Sequence, residues 1–393
     1  VLDVVFGRPY LWAMAKSSER GRSRRTVRWA VVGLGTIGVD HAERIRRTPR
    51  AQLVAVCSRD AAKRAIAERL GCEFVTDWRA LLRSGLCDAV LIATPHYAHV
   101  PIALAAIRAG VHALIEKPVA VTLAAAHQLA NAAHAHPEVR VGVMFQMRTE
   151  PVWRRMEALL RDRVLGEIQR VTWIVTDWFR PDAYYRAVPW RGTWAAEGGG
   201  VLVNQCPHQL DLWLHLFGPP SRVSACAGFG RRHAIEVEDE VAALFEYERG
   251  WSGVFVTSTG EAPGERRLSV AGTGGLAVVE GTTIRLRLNQ VPSDRFARET
   301  REPFSRPPTR ERQIECGEPR RAPHEATIRN FVEAILDDAP LVAPLEDGVR
   351  EVELSNAILA AAVRGEPVSL PLDARAFERL HGSLRRTAVR TRG

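Results

Sequence analysis

VRWAVVGLGTIG, residues 27–38, decides the fold of this chain. Six mostly apolar residues, enough for a buried strand, lead directly into three glycines spaced G-x-G-x-x-G. In such a turn the first glycine permits the sharp bend, the second lets a diphosphate approach the backbone, and the third lets the following helix pack on the strand. The N-terminus of that helix offers free N–H groups to the diphosphate. The residues predicted to contact a dinucleotide here are Gly33, Gly35, Thr36, Ile37 and Gly38.

Apolar segments alternate with helical patterns as far as residue 147. Further strands are expected at 51–57, 88–94, 111–118 and 139–145, with helices between them. Continuous apolar strands that alternate with helices are typical of a parallel sheet covered on both faces. Residues 27–147 are therefore predicted to form a doubly wound α/β domain of the Rossmann type.

The pattern changes after about residue 147. A helix over 151–162 is followed by segments that alternate apolar and polar residues and are joined by glycine-containing turns. This pattern is typical of antiparallel strands. Residues 148–373 are predicted to form an α+β domain on an open, mostly antiparallel sheet, which binds the substrate and mediates assembly. Within it, the Arg- and Pro-rich stretch 294–323 is expected to be a long surface excursion.

The net charge of +9 on 393 residues raises the question of a nucleic-acid partner. Residues 1–28 and 374–393 each carry a net charge of +5, so the chain between them is close to neutral. We expect solvated basic tails over 1–26, which should be disordered, and over 374–393. We therefore predict no nucleic-acid partner. We also predict no membrane partner, because no segment has the roughly 18 consecutive apolar residues of a membrane span.

Cysteine usage and the first residues favour a cytoplasmic protein. Six cysteines are scattered without a Cys-x-x-Cys pair, so a disulfide framework is not expected. The opening segment lacks the order of a secretory signal, since its basic cluster follows its apolar part. His324 and Glu325 begin an H-E-x-x-H motif, but Ile328 stands at the second histidine, so no metal site is predicted.

The end of the second predicted strand bears on the choice of cofactor. An NAD enzyme usually places a carboxylate there to bind the adenosine ribose, whereas a 2′-phosphate favours a hydroxyl and a cation. Here the strand runs into Ser58 and Arg59, and Asp60 is more easily explained as a helix N-cap. This favours NADP as cofactor, with NAD as the alternative if Arg59 is merely solvated.

Two later segments carry candidate catalytic groups. Glu116 and Lys117 end a strand at the sheet edge where ligands bind in open α/β folds. A lysine there can stabilise the alkoxide that develops as hydride leaves carbon. The segment GGGVLVNQCPHQLDLW, residues 198–213, puts His208 at a helix start with Asp211 on the same face. A histidine can accept the proton of a carbinol hydroxyl, although capping or packing is the alternative role.

Five segments in this order resemble the glucose–fructose oxidoreductase, inositol dehydrogenase and rhizopine-catabolism (Gfo/Idh/MocA) family: GLGTIG, ATPHYAHVPIALAAIRAGVHALIEKP, FQMR, GGGVLVNQCPHQLDLW and EDGVREVELSNAILAAAVRGEPVSLPLD. The resemblance covers about residues 27–373. It implies that Lys117 and His208 are the catalytic pair. It implies that Thr94, Pro95 and His99, with Glu116 and Lys117, lie along the cofactor. It also implies a homodimer or homotetramer formed through the open sheet faces.

The chain departs from this family at Asn204. Inositol-dehydrogenase-like members have an aspartate there, four residues before the histidine. An amide cannot stabilise an imidazolium by charge, so either Asp211 takes that part or Lys117 carries more of the proton transfer. His208 is then expected to keep a nearly ordinary pKa. The candidate substrate contacts are Tyr184, Tyr185, Trp190, Arg191, Asn204 and His208, although packing explains the aromatic residues equally well.

Together these features predict an NAD(P)-dependent oxidoreductase. It would transfer a hydride between nicotinamide and a ring carbinol or ketone of a sugar, sugar derivative or cyclitol. One alternative is a glycoside-cleaving hydrolase or lyase that oxidises its substrate transiently with bound NAD. A second is a non-catalytic NAD(P)-sensing regulator, which the presence of both Lys117 and His208 disfavours.

Overall fold

The glycine turn has the predicted strand and helix on either side of it in the computed structural model, which describes residues 25–319 and 321–391. Strand β1 (Val27–Val32) is buried at all positions but one and runs through the turn into helix α1 (Thr36–Arg47). The prediction of a disordered basic tail over 1–26 lies almost wholly outside the described residues.

The first domain is the predicted parallel sheet covered by helices. Its strands lie in the order β3-β2-β1-β4-β5-β6, and every neighbouring pair is parallel. The strand order reverses between β1 and β4, which opens a crevice at the carboxyl ends of these strands. The short β3 and α3 were not predicted from the sequence. After α1 the elements are β2 (Ala51–Cys57), α2 (Arg64–Leu70), β3 (Glu73–Val75), α3 (Trp78–Arg83), β4 (Ala89–Ile92), α4 (His99–Arg108), β5 (His112–Ile115), α5 (Leu123–His134) and β6 (Val141–Val143).

The second domain is built on a nine-stranded sheet of order β14-β13-β12-β11-β7-β10-β9-β8-β15. All neighbouring pairs are antiparallel except β7 with β10, so the predicted fold class is confirmed. Its elements are α6 (Pro151–Arg161), β7 (Ile168–Val175), α7 (Asp182–Arg186), α8 (Val201–Asn204), α9 (Pro207–Phe217), β8 (Arg222–Phe229), β9 (Glu238–Glu246), β10 (Ser252–Ser258), β11 (Arg266–Gly272), β12 (Gly275–Glu280), β13 (Thr283–Asn289), α10 (Ser293–Glu299), β14 (Thr309–Glu315), α11 (Pro323–Asp337), α12 (Leu345–Arg364), β15 (Val368–Ser369) and α13 (Ala374–Thr391).

Aromatic side chains fix helix α9 to one face of this sheet. The ring of Trp213 lies 4.8 to 6.5 Å, between centroids, from Trp173, Phe245 and Phe255 on three neighbouring strands. All four side chains are fully buried. Burying rings of this size contributes much of the core energy. Because His208 lies in the first turn of the same helix, this packing also sets the position of the imidazole.

Helix α11 crosses back to the first domain. Its Phe331 contacts Trp29 of β1, with ring centroids 5.5 Å apart. Phe331, Ile328 and Val332 belong to the same buried cluster as β1 and α1. The predicted division at residue 147 therefore separates two sheets, but the later helices pack on both.

Two stretches differ from the expected surface excursion and tail. Residues 294–323 are largely exposed, yet they contain α10 and the edge strand β14, which pairs with β13. The prediction of a solvated C-terminal tail is wrong for α13, where Phe377 and His381 are buried and His381 Nε2 lies 2.7 Å from the carbonyl oxygen of Gly198. This segment was predicted to be solvated because of its many arginines, but it also carries apolar residues at helical spacing, and these residues pack against the protein.

Among the described residues, no helix is long and apolar enough to span a membrane. The same part of the chain holds no cluster of side chains suited to a metal ion, and the six cysteines are unpaired.

Candidate active site

The three glycines of the first turn meet different surroundings. Gly33 has a φ of +101°, and a Cβ there would lie 2.4 Å from the carbonyl oxygen of Ala93. A Cβ on Gly38 would lie 1.9 Å from the carbonyl oxygen of Gly33. Gly35 meets no atom within 4 Å, so the space above it is open. The fold therefore requires glycine at residues 33 and 38. At Gly35 the protein itself leaves room for a side chain, so a glycine there serves to let a bound group approach the backbone.

A cleft of about 1080 Å³ extends from this turn to the second domain. It runs along the carboxyl ends of β1, β2, β4 and β5 and ends at α8 and α9. The predicted residues that line it are Gly33, Gly35, Thr36, Ile37, Ser58, Arg59, Thr94, Pro95, His99, Glu116, Lys117, Tyr184, Trp190, Arg191, Asn204 and His208.

The cleft suits an extended dinucleotide. Gly35 is the N-cap of helix α1 and offers no side-chain cap, so the first N–H groups of the helix are available to a diphosphate. Thr94 Oγ1 is buried without a hydrogen-bond partner among the described residues, which suits a ligand donor or acceptor.

Ser58 and two arginines lie at the end of β2. The Asp60 carboxylate accepts from the backbone N–H of Ala62 at 3.0 Å, as expected of a cap. Arg59 lines the cleft, and so does Arg79, whose guanidinium lies 4.1 Å from the ring centre of Trp78. The sequence did not single out Arg79, because its helix α3 was not predicted.

Glu116 is linked to helix α1 through a histidine. Its Oε1 lies 2.6 Å from Nε2 of the buried His41, and its Oε2 accepts from the backbone N–H of Lys117 at 3.1 Å. Burial alone would raise the pKa of Glu116, but the His41 hydrogen bond and nearby positive charge lower this pKa to about 2. Glu116 is therefore a fixed negative charge beside the lysine.

Lys117 spans the junction of the two domains. Its Nζ donates a hydrogen bond to the backbone carbonyl of Asn204. Burial lowers the pKa of Lys117, while Glu116 and other carboxylates raise it in opposition. The ammonium is therefore directed at the end of α8, which carries the predicted substrate contact Asn204.

His208 faces the same point from the other domain. Its Nε2 lies 3.1 Å from the amide nitrogen of Gln146, which can only donate, so this ring nitrogen is an acceptor. Burial and the charge of Lys117 lower the pKa of His208 to about 3. The expectation that His208 keeps a nearly ordinary pKa is wrong. That expectation rested on the missing negative charge at residue 204, whereas the desolvation of the buried ring has the larger effect.

Asn204 stands where inositol-dehydrogenase-like family members have an aspartate, and its amide binds a neighbouring carboxylate. Its amide nitrogen donates to Glu197 Oε1 at 2.5 Å and to the Tyr184 hydroxyl at 3.2 Å. Burial raises the pKa of Glu197 to about 7, although the Gly192 N–H and the Asn204 amide act to lower it. The buried acid Glu197 is therefore in direct contact with Asn204, although no local pattern in the sequence indicated it.

Asp211 does not serve the histidine. Both its carboxylate oxygens accept from Arg148, at 2.5 and 2.8 Å, and Arg148 also pairs with Asp347 at 2.7 Å. His208 Nδ1 is buried without a hydrogen-bond partner among the described residues. The predicted catalytic or positioning role of Asp211 is therefore wrong; the helical spacing is right, but Arg148 from another segment takes the carboxylate.

Tyr185 is also absent from the cleft. Its hydroxyl donates to Thr259 at 3.1 Å and its ring packs against His233, so it is a packing residue. Tyr184 does face the cleft, with the Arg191 guanidinium 3.8 Å from its ring centre. His99 lines the cleft, but its ring nitrogens lie 2.7 and 2.8 Å from two backbone carbonyl oxygens. It fixes the loops that carry Thr94 and Pro118 against each other.

Sequence comparison identifies both domains. A profile of the oxidoreductase family with an NAD-binding Rossmann fold matches residues 27–145, and the Gfo/Idh/MocA C-terminal domain matches residues 153–278. The chain belongs to the Gfo/Idh/MocA family.

Two of the curated relatives are named inositol 2-dehydrogenase. Inositol 2-dehydrogenase of Rhizobium meliloti is 26% identical over 356 residues, which cover 88% of this chain and 99% of that protein. Inositol 2-dehydrogenase 4 of Saccharopolyspora erythraea is 37% identical over 147 residues, 37% of this chain and 44% of that protein. For the first four curated relatives, the matched stretch spans only 44% to 61% of their length.

A solved relative has the same two-domain fold. It is the WlbA dehydrogenase from Bordetella pertussis in complex with NADH and UDP-GlcNAcA. The TM-score is 0.74 at 26% identity, and the match covers 89% of this chain and 100% of that one.

A smaller cavity of this Gfo/Idh/MocA protein opens on the far side of the lysine and the histidine. We call this cavity of about 250 Å³ the side chamber. It shares Lys117, Asn204 and His208 with the large cleft. Its lining residues are Lys117, Gln146, Met147, Glu150, Trp178, Arg180, Asn204, Gln205, His208 and Arg266.

Most side-chamber residues were missed from the sequence. Gln146 lies in the FQMR segment that supported the family resemblance, and its place just after β6, at the ligand-binding sheet edge, was an available signal. Arg180 lies four residues before the predicted substrate contact Tyr184, but no role was predicted for it. Arg266 begins β11, where nothing in the local pattern indicates a site.

Proposed function

We propose that this protein is an NAD(P)-dependent dehydrogenase or reductase acting on a ring carbinol or ketone of a sugar, sugar derivative or cyclitol. The observation that carries the proposal is the meeting of Lys117 and His208, from different domains, at the end of a cleft that begins at the glycine turn. The names of relatives that act on inositol, and of one solved with NADH and a sugar nucleotide, support this substrate class.

Each residue of the site has a separate role in hydride and proton transfer. The bound nicotinamide would supply the hydride acceptor or donor. Lys117, a donor only, hydrogen-bonds the reacting oxygen and stabilises negative charge that develops there. His208 is neutral, and its Nε2 accepts from the substrate hydroxyl in place of the Gln146 N–H; it takes the hydroxyl proton during oxidation and returns it during reduction. Asn204 orients substrate hydroxyls through its amide, and the buried Glu197 holds that amide in place.

For the cofactor, we propose a preference for NADP over NAD. Ser58 offers a hydroxyl where a carboxylate would favour the NAD ribose. The nearby carboxylates of Asp60 and Asp77 each accept from a backbone N–H of their own helical turn. Arg59 and Arg79 both line this end of the cleft and can bind a 2′-phosphate.

We propose that the protein assembles as a homodimer or homotetramer through the open face of the large sheet. On the face away from α9, Leu244 is 41% exposed, and Val254, Val256 and Ile174 beside it are half-buried. Such an apolar patch is usually covered by a partner. The cytoplasmic location stays a prediction; the unpaired cysteines are compatible with a reducing compartment.

The test is a screen of sugars, sugar derivatives and inositols with NADP⁺ and NAD⁺ in parallel, following NAD(P)H absorbance. Steady turnover of one substrate class supports the proposal. A substrate that is cleaved while the cofactor shows no net change would instead favour the hydrolase or lyase alternative. Tight cofactor binding without any turnover would favour the regulator.

A further inference from the structure

The side chamber collects positive charge. Three cations line it, Lys117, Arg180 and Arg266, against one carboxylate, Glu150. Arg266 is paired with Asp177 at 2.9 Å. Burial raises the pKa of Glu150, the one carboxylate in this lining. Arg180 forms no ion pair with a carboxylate of the described residues, so its charge is left for a ligand.

The Arg180 side chain is held in place without being neutralised. Its guanidinium carbon lies 5.1 Å from the ring centre of Tyr184 and 5.4 Å from that of Trp178. Its Nη1 donates to the backbone carbonyl of Phe179 at 3.1 Å. Cation–π contacts of this kind orient a guanidinium and leave its charge intact. A fixed guanidinium of this kind is well suited to bind an oxyanion through two N–H groups.

Two buried donors on side chains that line the chamber also lack acceptors. Neither Arg180 Nε nor Trp178 Nε1 has a hydrogen-bond partner among the described residues, although both atoms are buried. Such groups are normally satisfied by a ligand or an ordered water. Gln146 Oε1 is a buried acceptor without a partner, suited to a substrate hydroxyl. Unpaired donors together with net positive charge match a ligand that is rich in acceptors and negatively charged.

The anion in question is not the diphosphate of the cofactor. No residue of the glycine turn lines the chamber, and the chamber meets the large cleft only at Lys117, Asn204 and His208. A group bound in the chamber would therefore lie beside the lysine and the histidine, where the substrate reacts, and not along the diphosphate.

We propose that the side chamber binds an oxyanion, a carboxylate or phosphate, of the sugar or cyclitol substrate, with Arg180 as its principal ligand and Arg266 as a second cation. The inference rests on the proposed dehydrogenase function and narrows its substrate class to acidic sugars or cyclitols.

The first test is calorimetric binding to the full chain with NADP⁺ present. The probes are D-glucuronate, D-galacturonate, glucose 6-phosphate and myo-inositol 1-phosphate, each compared with its neutral parent. We expect at least one acidic probe to bind about tenfold or more tightly than its parent. Uronates binding more tightly than the phosphates would identify a carboxylate, and the reverse order would identify a phosphate. If no acidic probe binds more tightly than its parent, the proposal is overturned.

The second test is the variant Arg180→Gln, with Arg180→Lys as the conservative change. Removing the guanidinium should weaken binding of the acidic probe roughly 10- to 100-fold and leave its neutral parent unchanged. Arg180→Lys should recover part of the loss. The matched control is Arg186→Gln, an exposed arginine on α7 outside both cavities, which should bind as the wild type does. Equal weakening of acidic and neutral probes would mean that Arg180 is structural.

The two proposals can fail separately. Anion binding that is lost in Arg180→Gln, without turnover of any sugar, supports the chamber and rejects the dehydrogenase. Turnover of neutral sugars with no preference for acidic ones supports the dehydrogenase and rejects the anion site.

Discussion

At the glycine turn the cleft is lined by backbone, whereas around Lys117 and His208 it is lined by side chains from both domains. A turn needs glycines at fixed spacing within one short segment, so its pattern is legible in the sequence. The substrate end of the cleft depends on contacts between residues that are far apart in the sequence. Lys117 contacts Asn204, and His208 contacts Gln146. Cofactor binding is therefore encoded within one short segment, whereas substrate choice depends on residues that lie far apart along the chain.

The largest effects should come from the side-chain end of the cleft. Lys117→Ala removes the donor to the reacting oxygen and should lower kcat on the order of 10²–10³-fold. His208→Ala removes the proton acceptor and should lower kcat roughly 10²–10⁴-fold. Cofactor Kd, measured by tryptophan fluorescence, should change little in either variant, because the diphosphate is bound elsewhere.

Lys63→Ala is the control, since this lysine lies on a short turn outside the cleft. A wild-type kcat in His208→Ala would make that histidine a packing residue. A large loss of cofactor affinity in Lys117→Ala would mean that the two ends of the cleft are not separate.

The backbone end can be tested with a pair of glycine variants. Gly35→Ala meets no protein atom and has a φ of −73°, so it should fold normally. Its methyl group should occupy space needed by the diphosphate and weaken cofactor binding about tenfold or more. Gly38→Ala should instead destabilise the protein, by about 1–3 kcal/mol, because its Cβ would overlap the Gly33 carbonyl.

Thermal unfolding and cofactor titration of both variants separate the two roles. Unchanged cofactor affinity in Gly35→Ala would contradict the prediction that the glycine turn binds the diphosphate of a dinucleotide.

Features that depend on a local pattern were predicted from the sequence, and features that depend on contacts between distant residues were not. The parallel sheet, the glycine turn and the pair Lys117 and His208 were predicted, because each rests on a local pattern or on a segment that matches the family. Asp211 and Tyr185 were assigned wrongly, because helical spacing and aromatic character do not reveal that Arg148 or Thr259 takes the polar group. Glu197 and Arg180 were missed, since only the folded chain brings them to Asn204 and the side chamber.

A smaller change is expected at the adenosine end. Ser58→Asp places a carboxylate where a 2′-phosphate would bind, so the ratio of kcat/KM for NADP to that for NAD should fall by about tenfold or more. Ser58→Ala is the matched control, since it removes the hydroxyl without adding charge. If the wild type already prefers NAD tenfold, the proposed cofactor preference is wrong and Arg59 is a solvated residue.

The smallest effect expected is a pH dependence at His208, which tests whether desolvation governs the side-chain end of the cleft. Its pKa is lowered to about 3, so the ring should stay neutral from pH 8 to pH 5, and the oxidation rate should not fall through the ordinary histidine range near pH 6.5. In the unfolded chain the same ring takes up a proton below about pH 6.5, so His208 lowers stability as the pH falls through that value. Relative to wild type, cofactor-free His208→Gln should therefore gain about 1–2 kcal/mol in the free energy of unfolding between pH 7.5 and pH 5. Urea unfolding at the two pH values measures this gain, with His134→Gln, a largely exposed histidine, as the control. Parallel curves for wild type and His208→Gln would mean that solvent reaches the ring, and a carboxylate such as Glu197 would then have to account for any pH dependence of the rate.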